Sequence, residues 1–370
     1  MHFPYVDPIP VPAPILLMKA LGILTLAMHF VAVQLLVGSL VAVCWFSLRG
    51  KQLGTSQHKT AAHVLARRVP IIMTYVINLG IPPLLFAQVI YGRALYTSSV
   101  LIGALWISVI PLLMLCYWLL YRMADKTAAG KPAAHVAFIA LIIAGCVGRI
   151  LSYNMTLMLR PEVWQKMYAG TATGLHLPPS EPTSIYRWAF IVIGSLLLTG
   201  LWTVLNSGLP TIDGETKALM RKTGGVLALL GGIIQIAIGY LVFVHQPVSV
   251  QDGLQQLAFY KISGIVWFVA AALATLLGAT QIIAKSTSLP LNIAACTSGF
   301  VGLVGAVCVR DGIRDVTLNG KGFDVFHRLV YSNWWVLGLF FALFAISLVA
   351  MGWLLWVMKQ AKPVSEQVAS

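Results

Sequence analysis

The sequence predicts an all-α integral membrane protein, folded as a single bundle of about nine transmembrane helices over residues 1–370. Its composition gives the first indication. Hydrophobic residues make up 59% of the chain and charged residues 10%, with a mean hydropathy of +0.85, whereas a soluble domain has roughly 25% charged residues. The second indication is that the apolar residues fall in long runs, and a helix needs about 20 such residues to cross a bilayer.

Nine runs meet that length. The first is longer than the hydrocarbon core requires, so part of it is expected to protrude or tilt. No internal repeat is visible, which disfavours a transporter assembled from repeated halves. The predicted spans are residues 15–47, 69–95, 98–123, 134–159, 185–207, 223–246, 258–284, 289–310 and 333–358.

The basic residues predict the orientation of the bundle. The formal net charge is +14, but these residues sit at the ends of apolar runs and form no nucleic-acid motif, so we expect no nucleic-acid partner. Eleven of the 25 lie in the connections 48–68, 122–133 and 208–222, and Lys285, Lys359 and Lys362 fall on the same side of the predicted bundle. By the positive-inside rule that side is cytoplasmic. The lead-in 1–14 is therefore expected outside, and the tail 359–370 is expected in the cytoplasm.

Two outer connections are long and mix aromatic with charged residues. They cover residues 160–184 and 311–332. Connections of this composition are typical of folded surfaces that carry function. We expect both of them to dock a partner outside the membrane.

The eleven acidic residues all fall in connections or termini of the predicted bundle. We therefore expect no carboxylate in the bilayer core, where a buried arginine would need one as counter-charge. Yet His29 lies about nine residues from the outer end of the apolar core of its helix, taken as starting near Ala20. At 1.5 Å per residue this is a depth of roughly 14 Å. Arg149 and Gln235 fall at a similar depth, and Gln88 is shallower.

Each of these polar groups has two explanations. His29 is either a haem or quinone ligand or one half of a hydrogen bond between helices. Arg149 either contacts a haem propionate or quinone or caps backbone carbonyls. Gln235 and Gln88 are cofactor contacts or interhelical hydrogen bonds. On the outer side, His245 and His327 are candidate proton acceptors for a quinol, or surface residues without chemistry.

The proline and cysteine patterns add two expectations. Pro82 and Pro83, in "NLGIPPLLFAQVIYG", predict a kink that shapes a pocket facing His29 or serves a purely structural purpose. The five cysteines are far apart and form no CxxC or CxxCH. These spacings exclude covalently attached c-type haem, and iron–sulfur or zinc sites of the usual spacing.

Several stretches carry a resemblance to a known family. They are "ILTLAMHFVAVQLLVGSLVA", "INLGIPPLLFAQVIYGRALYTSSVLIG", "SYNMTLMLRPEVWQKMY", "EPTSIYRWAFIVIGSLLLTG" and "VRDGIRD" with "VYSN". The chain resembles subunit I of cytochrome bd-type quinol oxidases. It looks more like the divergent bd-like membrane subunits found beside multihaem c-type cytochromes.

The resemblance implies roles for particular residues. His29 matches the family's axial haem ligand in the first helix, which implies one haem b. The second haem histidine of the family would fall near Phe190, so the chain has lost it. The haem iron would then be five-coordinate or would take a sulfur ligand such as Met155 or Met158. The family's membrane carboxylates and long quinol-binding loop have no counterpart, which argues against oxygen reduction.

Together these features predict an electron-transfer subunit of a bacterial inner (cytoplasmic) membrane complex. It would exchange electrons between the quinone pool and a periplasmic multihaem cytochrome c or iron–sulfur subunit. The alternative is a cofactor-free membrane anchor, a quinone-pocket scaffold or a structural subunit of a larger redox complex.

Overall fold

The computed structural model describes residues 10–170 and 173–360, apart from the side chains of residues 347–348, 351–352, 354–355 and 357–360. Residues 1–9 of the predicted lead-in 1–14 lie outside the described residues, and so do residues 361–370 of the predicted tail 359–370.

The described ranges form helices and no strand, which confirms the all-α class. A single β-bridge joins Val11 to Val330. The helices are α1 (Ile15–Leu53), α2 (Ser56–Ala66), α3 (Val69–Leu101), α4 (Gly103–Ala128), α5 (Ala134–Leu157), α6 (Pro161–Gly170), α7 (Pro182–Val192), α8 (Ser195–Ser207), α9 (Gly214–Val244), α10 (Val248–Gln256), α11 (Ala258–Ala279), α12 (Leu289–Asn319) and α13 (Trp334–Gln360).

Within the described residues, eight helical segments rather than nine are long and apolar enough to cross a membrane. Three of them join elements end to end: α2 with α3, α7 with α8, and α11 with the 3₁₀ turn Thr280–Ile282. The ninth predicted span falls on α13, whose described apolar stretch, Trp334–Ile346, is shorter than a span. The protein is therefore a multi-pass membrane protein.

Helix α12 corrects the predicted position of the acidic residues. It continues nine residues beyond the predicted span end, to Asn319. Asp311 and Asp315 are thus buried residues of a helix, although the sequence placed them in an outer connection. The first third of the predicted docking segment 311–332 is therefore helical and buried. The physical reason is that these carboxylates are paired inside the protein, so charge does not mark the end of the helix.

Glycines bring α8 and α9 into close contact. A Cβ at Gly200 would lie 2.3 Å from the backbone nitrogen of Ala228, and a Cβ at Gly231 would lie 2.3 Å from that of Leu197. Both distances are well below van der Waals contact. Only glycine fits at these positions, as is common where membrane helices pack backbone to backbone.

Helix α3 stays helical through Pro82 and Pro83. The residue with non-helical backbone angles is Tyr91 (φ −116°, ψ 22°), where the helix kinks. The predicted kink therefore lies eight residues further along, and Pro83 packs on the wall of the cavity described below.

The segments that flank the bundle are held together at one end. The backbone N–H of Val11 donates to the carbonyl of Leu329 (2.8 Å), and that of Tyr331 donates to the carbonyl of Val11 (2.9 Å). Lys321 donates to the carbonyl of Leu159 (2.7 Å). We refer to this end, where α1 begins and α12 ends, as the N-terminal end of the bundle.

Candidate functional site

His29 is anchored against a neighbouring helix by one of its two ring nitrogens. Its Nδ1 lies 3.0 Å from the carbonyl oxygen of Val76 in α3. Since a carbonyl oxygen only accepts, Nδ1 carries the proton, and in the neutral imidazole Nε2 keeps a free lone pair. Gly80 allows this approach, because a Cβ there would lie 3.0 Å from Cε1 of His29. This is the tautomer in which histidine binds a metal through Nε2.

His29 lies on the wall of a cavity of about 1120 Å³. Side chains from α1, α3, α4, α5, α7, α9, α11 and α12 line it, and most of them are apolar. Ligand pockets usually enclose roughly 300–1,000 Å³. The cavity is therefore large enough for a cofactor or a quinone headgroup, and its walls suit a hydrophobic ligand.

Charged groups gather toward the N-terminal end of this cavity. Lys19 lies ten residues before His29 in α1, a separation of roughly 15 Å along the helix axis. The other charged residues that line the cavity are Arg187 of α7 and Arg310, Asp311 and Arg314 of α12. The cavity is thus apolar around His29 and charged toward one end.

A buried ion-pair network forms part of that charged end. Lys19 Nζ lies 2.6 Å from Asp311 Oδ2 and 2.5 Å from Asp315 Oδ2. The Tyr91 hydroxyl lies 3.1 Å from Asp311 Oδ1 and 2.9 Å from Asp315 Oδ1, so the two carboxylates share its single proton. Tyr260 donates to Asp315 Oδ2 (2.8 Å). Lys19, Asp311 and Asp315 are only 7%, 8% and 5% exposed. Mutual pairing is what allows these charges to stay buried.

Two arginines on the cavity wall are not satisfied in the same way. Among the described residues, no hydrogen bond or ion pair reaches the guanidinium of Arg310, which lies 5.9 Å from the ring centroid of Phe30. Arg187 has a distant contact with Glu181 (3.9 Å), and its buried Nε has no hydrogen-bond partner. Phe30 directly follows His29. Two incompletely paired cations therefore face the cavity, and one of them packs against the residue that follows His29.

Arg149 is satisfied elsewhere. It donates to the carbonyl of Ser184 (2.9 Å) and to the Ser184 hydroxyl (3.0 Å), and its guanidinium lies 4.1 Å over the ring of Tyr153. Arg149 does not line the cavity. Of the two explanations drawn from the sequence, carbonyl capping describes its contacts.

Of the predicted sulfur ligands, Met155 lines the cavity. Met158 is fully buried in a separate apolar core that includes Trp164.

The predicted glutamines also lie off the cavity wall. Gln235 borders a separate void of about 10 Å³, together with Gln34, Phe190 and Trp267. That void has room for no more than a single water molecule. Phe190 also lines the main cavity, with its ring centroid 6.0 Å from that of Trp267.

The two outer histidines stay apart from this site. His245 donates through Nδ1 to the carbonyl of Leu241 in its own helix (2.8 Å), and its ring packs on Tyr186 at 4.5 Å. The His327 side chain is 87% exposed and pairs with Asp324 (2.6 Å). Neither lines the cavity, so the structure brings only His29 and Met155 of the predicted site residues to it.

Sequence reasoning missed the charged residues of the cavity. The stretch "VRDGIRD" repeats arginine and aspartate at a spacing of four, which places Arg310 with Arg314, and Asp311 with Asp315, on shared faces of a helix. That spacing was the available signal. Among the described residues, no three His, Cys, Asp or Glu side chains cluster to hold a bare metal ion.

Comparison with known proteins supports the fold alone. No family model matches the sequence, and no curated protein matches it. The chain is similar in structure to a chain of the bd oxidase from Geobacillus thermodenitrificans, with a TM-score of 0.62 and 12% sequence identity. The match covers 96% of this chain and 100% of that one. The chain thus shares the helical fold of a chain of this membrane oxidase.

Proposed function

We propose that the protein is an electron-transfer membrane subunit of a respiratory complex. In this proposal His29 binds one haem b inside the cavity, and electrons pass between the quinone pool and a cytochrome c or iron–sulfur partner on the periplasmic side. The observation that carries the proposal is the free Nε2 of His29, whose Nδ1 is held by Val76 and whose side chain lines a cavity of about 1120 Å³.

The residues present fit a haem in three respects. The imidazole has the tautomer of an iron ligand. The walls near it are apolar, which suits a porphyrin ring. Arg187 and Arg310 supply two incompletely paired cations for the two propionates, because a buried arginine is stable only when it is paired. Bound haem would supply a one-electron carrier whose potential depends on its ligands and burial.

The chain's own residues would hold and tune that carrier. His29 binds the iron, and Val76 fixes the orientation of the ring. Met155 lines the same cavity and is the sulfur ligand that the proposal retains. Arg310 and Arg187 pair with the propionates, which is one of the two roles that the sequence left open for Arg149.

The proposal excludes oxygen reduction. The resemblance places the family's second haem histidine near Phe190, and in the structure this phenyl ring packs beside Trp267 on the cavity wall. A phenyl ring cannot bind iron.

The periplasmic partner would dock at the N-terminal end of the bundle. There α6, the segment 173–181 and the segment 320–333 flank the charged end of the cavity, and Lys321 joins two of them by pairing with Glu162 (2.8 Å). This placement would leave a short path from the cavity to a partner. It also takes the N-terminal end as the outer one, as the basic connections predict.

The loss of a histidine at Phe190 also favours a second candidate function. The cavity would then hold only the apolar tail or ring of a quinone, and the chain would anchor a larger redox complex without a cofactor of its own. A single experiment separates the two candidates.

The full-length protein, purified in nanodiscs, is mixed anaerobically with a quinol, and its visible spectrum is followed. We expect a b-type band to appear on reduction and to reverse when an oxidised c-type cytochrome is added. In a parallel aerated sample with the same quinol, we expect no oxygen uptake above background. Folded protein without a band would support the anchor instead. Rapid oxygen consumption would contradict both.

A further inference from the structure

The charges around the cavity nearly balance. Two buried cations (Lys19 and Arg314) and two half-buried ones (Arg187 and Arg310) lie near three carboxylates (Asp311, Asp315 and Glu181), which leaves one net positive charge. A haem with ferric iron and two ionised propionates carries one net negative charge. The cavity of the proposed holoprotein is therefore neutral when oxidised. An added electron leaves one uncompensated negative charge in a site shielded from water.

Such a charge is costly in an apolar interior, and a proton that binds nearby cancels it. We propose that Asp311 takes up one proton when the cavity gains an electron, and releases it when the electron leaves. This inference rests on the haem proposed above. The electron comes from a quinol or another one-electron donor, and the proton comes from water and forms an O–H bond with the carboxylate.

The hydrogen-bonding pattern singles out Asp311. Lys19 Nζ directs its hydrogen bonds to the Tyr91 hydroxyl (3.0 Å) and to Asp315 Oδ2. Oδ2 of Asp311 is 2.6 Å from the same ammonium group but receives no aligned hydrogen bond. It is held by the ion pair alone, whereas Asp315 Oδ2 also accepts a hydrogen bond from Tyr260. Asp311 lines the cavity, whereas Asp315 does not.

A hydrogen-bonded route connects Asp311 to the N-terminal end of the bundle. The Tyr91 hydroxyl bridges Asp311 and Asp315, and Tyr260 donates to Asp315 from the first turn of α11. Hydroxyl groups both donate and accept, so they can pass a proton along such a chain. The titratable and charged groups that face the carboxylate pair are Lys19 from α1, Tyr91 from α3, Arg187 from α7, Tyr260 from α11, and Cys308, Arg310 and Arg314 from α12.

The test is a redox titration of the haem band in the full-length protein over a range of pH. We expect the midpoint potential to fall as pH rises, by about 59 mV per pH unit at its steepest, which is a tenfold change for a one-electron couple. Asp311→Asn should flatten this dependence and raise the potential, because the variant lacks both the proton acceptor and one negative charge. The matched control Asp125→Asn changes an exposed carboxylate at the other end of the bundle and should keep the wild-type slope.

An infrared difference spectrum of the wild type, reduced minus oxidised, gives a readout that needs no variant. We expect the band of a protonated carboxyl group in the reduced state, and its loss in Asp311→Asn where that variant folds. A haem band with a pH-independent potential, or an unchanged slope in Asp311→Asn, would overturn the inference and leave the haem in place. Folded protein without a haem band would instead overturn the proposed function.

Discussion

Arg149 and Arg310 are both arginines inside the helical bundle, but their surroundings differ. Arg149 finds its hydrogen-bond acceptors within the chain, namely the carbonyl and hydroxyl of Ser184. Arg310 lines a large cavity, and among the described residues its guanidinium makes no hydrogen bond or ion pair but lies 5.9 Å from the ring centroid of Phe30. A membrane interior makes an unpaired cation expensive. A buried polar group that finds its hydrogen-bond partners within the chain stabilises the fold. A buried polar group that lacks such partners indicates a site for a ligand.

The buried network around Lys19 offers the strongest test of charged groups that are paired within the chain. Lys19→Met would leave Asp311 and Asp315 buried without their cation, and breaking a buried ion pair costs about 3–5 kcal/mol. We expect a loss of that size in the free energy of unfolding, measured by denaturant titration in detergent. Lys321→Met is the comparison variant, because it removes a lysine from partly exposed contacts with Glu162 and the Leu159 carbonyl. It leaves no carboxylate buried without a cation and should cost less than Lys19→Met. Equal losses would show that the network is not a buried one.

The two arginines should respond in opposite ways to the same substitution. Arg149→Gln removes charged hydrogen bonds to Ser184 and should lower the free energy of unfolding by about 1.5–3 kcal/mol, while haem content per protein stays normal. Arg310→Gln removes a cation without a partner. We expect it to leave the stability of haem-free protein unchanged and to lower haem content severalfold. If Arg149→Gln lost the haem and Arg310→Gln kept it, the comparison would be reversed.

Gly80 tests how tightly His29 is positioned. In Gly80→Ala the new Cβ would lie 3.0 Å from Cε1 of His29, so the imidazole must shift by a few tenths of an ångström. We expect a folded protein with weakened haem binding and an altered visible spectrum. Gly92→Ala is the control in the same helix, since the nearest atom to a Cβ there is 3.5 Å away. An unaltered spectrum in Gly80→Ala would show that the ring does not bind the iron.

The smallest effect should come from the outer pair of Glu162 and Lys321. Partial burial raises the pKa of Glu162, but hydrogen bonds from Lys321 and Arg160 outweigh it, so the pKa lies below its ordinary value. A carboxyl group with a lowered folded-state pKa stabilises the protein above its unfolded pKa, and this stabilisation is lost as pH falls through the folded value. We expect less than about 1 kcal/mol for this exposed pair. Unfolding titrations of wild type and Glu162→Gln should therefore converge as the pH falls below the ordinary pKa of a glutamate and through the lowered pKa of Glu162.

The sequence predicted the class of fold because hydrophobic length alone decides where a helix can cross a bilayer. It could not predict the direction in which each side chain faces. The depth of Arg149 matched that of His29, but rotation about the axis of α5 turns Arg149 to Ser184 and away from the cavity. The depth of a side chain in the bilayer follows from counting residues, whereas the direction in which it points depends on how neighbouring helices pack.

The same limit explains why the charged end of the cavity was missed. Asp311 and Asp315 were read as loop residues because an isolated carboxylate is expelled from a membrane. Their partner Lys19 lies about 300 residues away in sequence, so no local pattern could reveal that the charges are neutralised together. The family resemblance identified His29, and only the structure shows its free nitrogen facing a cavity.

The central claim is that the cavity holds a haem, which binds His29 through its iron and pairs with Arg187 and Arg310 through its propionates. The most direct measurement is the reduced-minus-oxidised visible spectrum of purified protein, together with the haem content of the same samples. We predict a b-type α-band in the wild type and in His245→Ala, where an exposed histidine with a similar Nδ1 hydrogen bond is removed. The band should be absent from folded His29→Ala. An undiminished band in His29→Ala, or no band in folded wild type, would contradict the account.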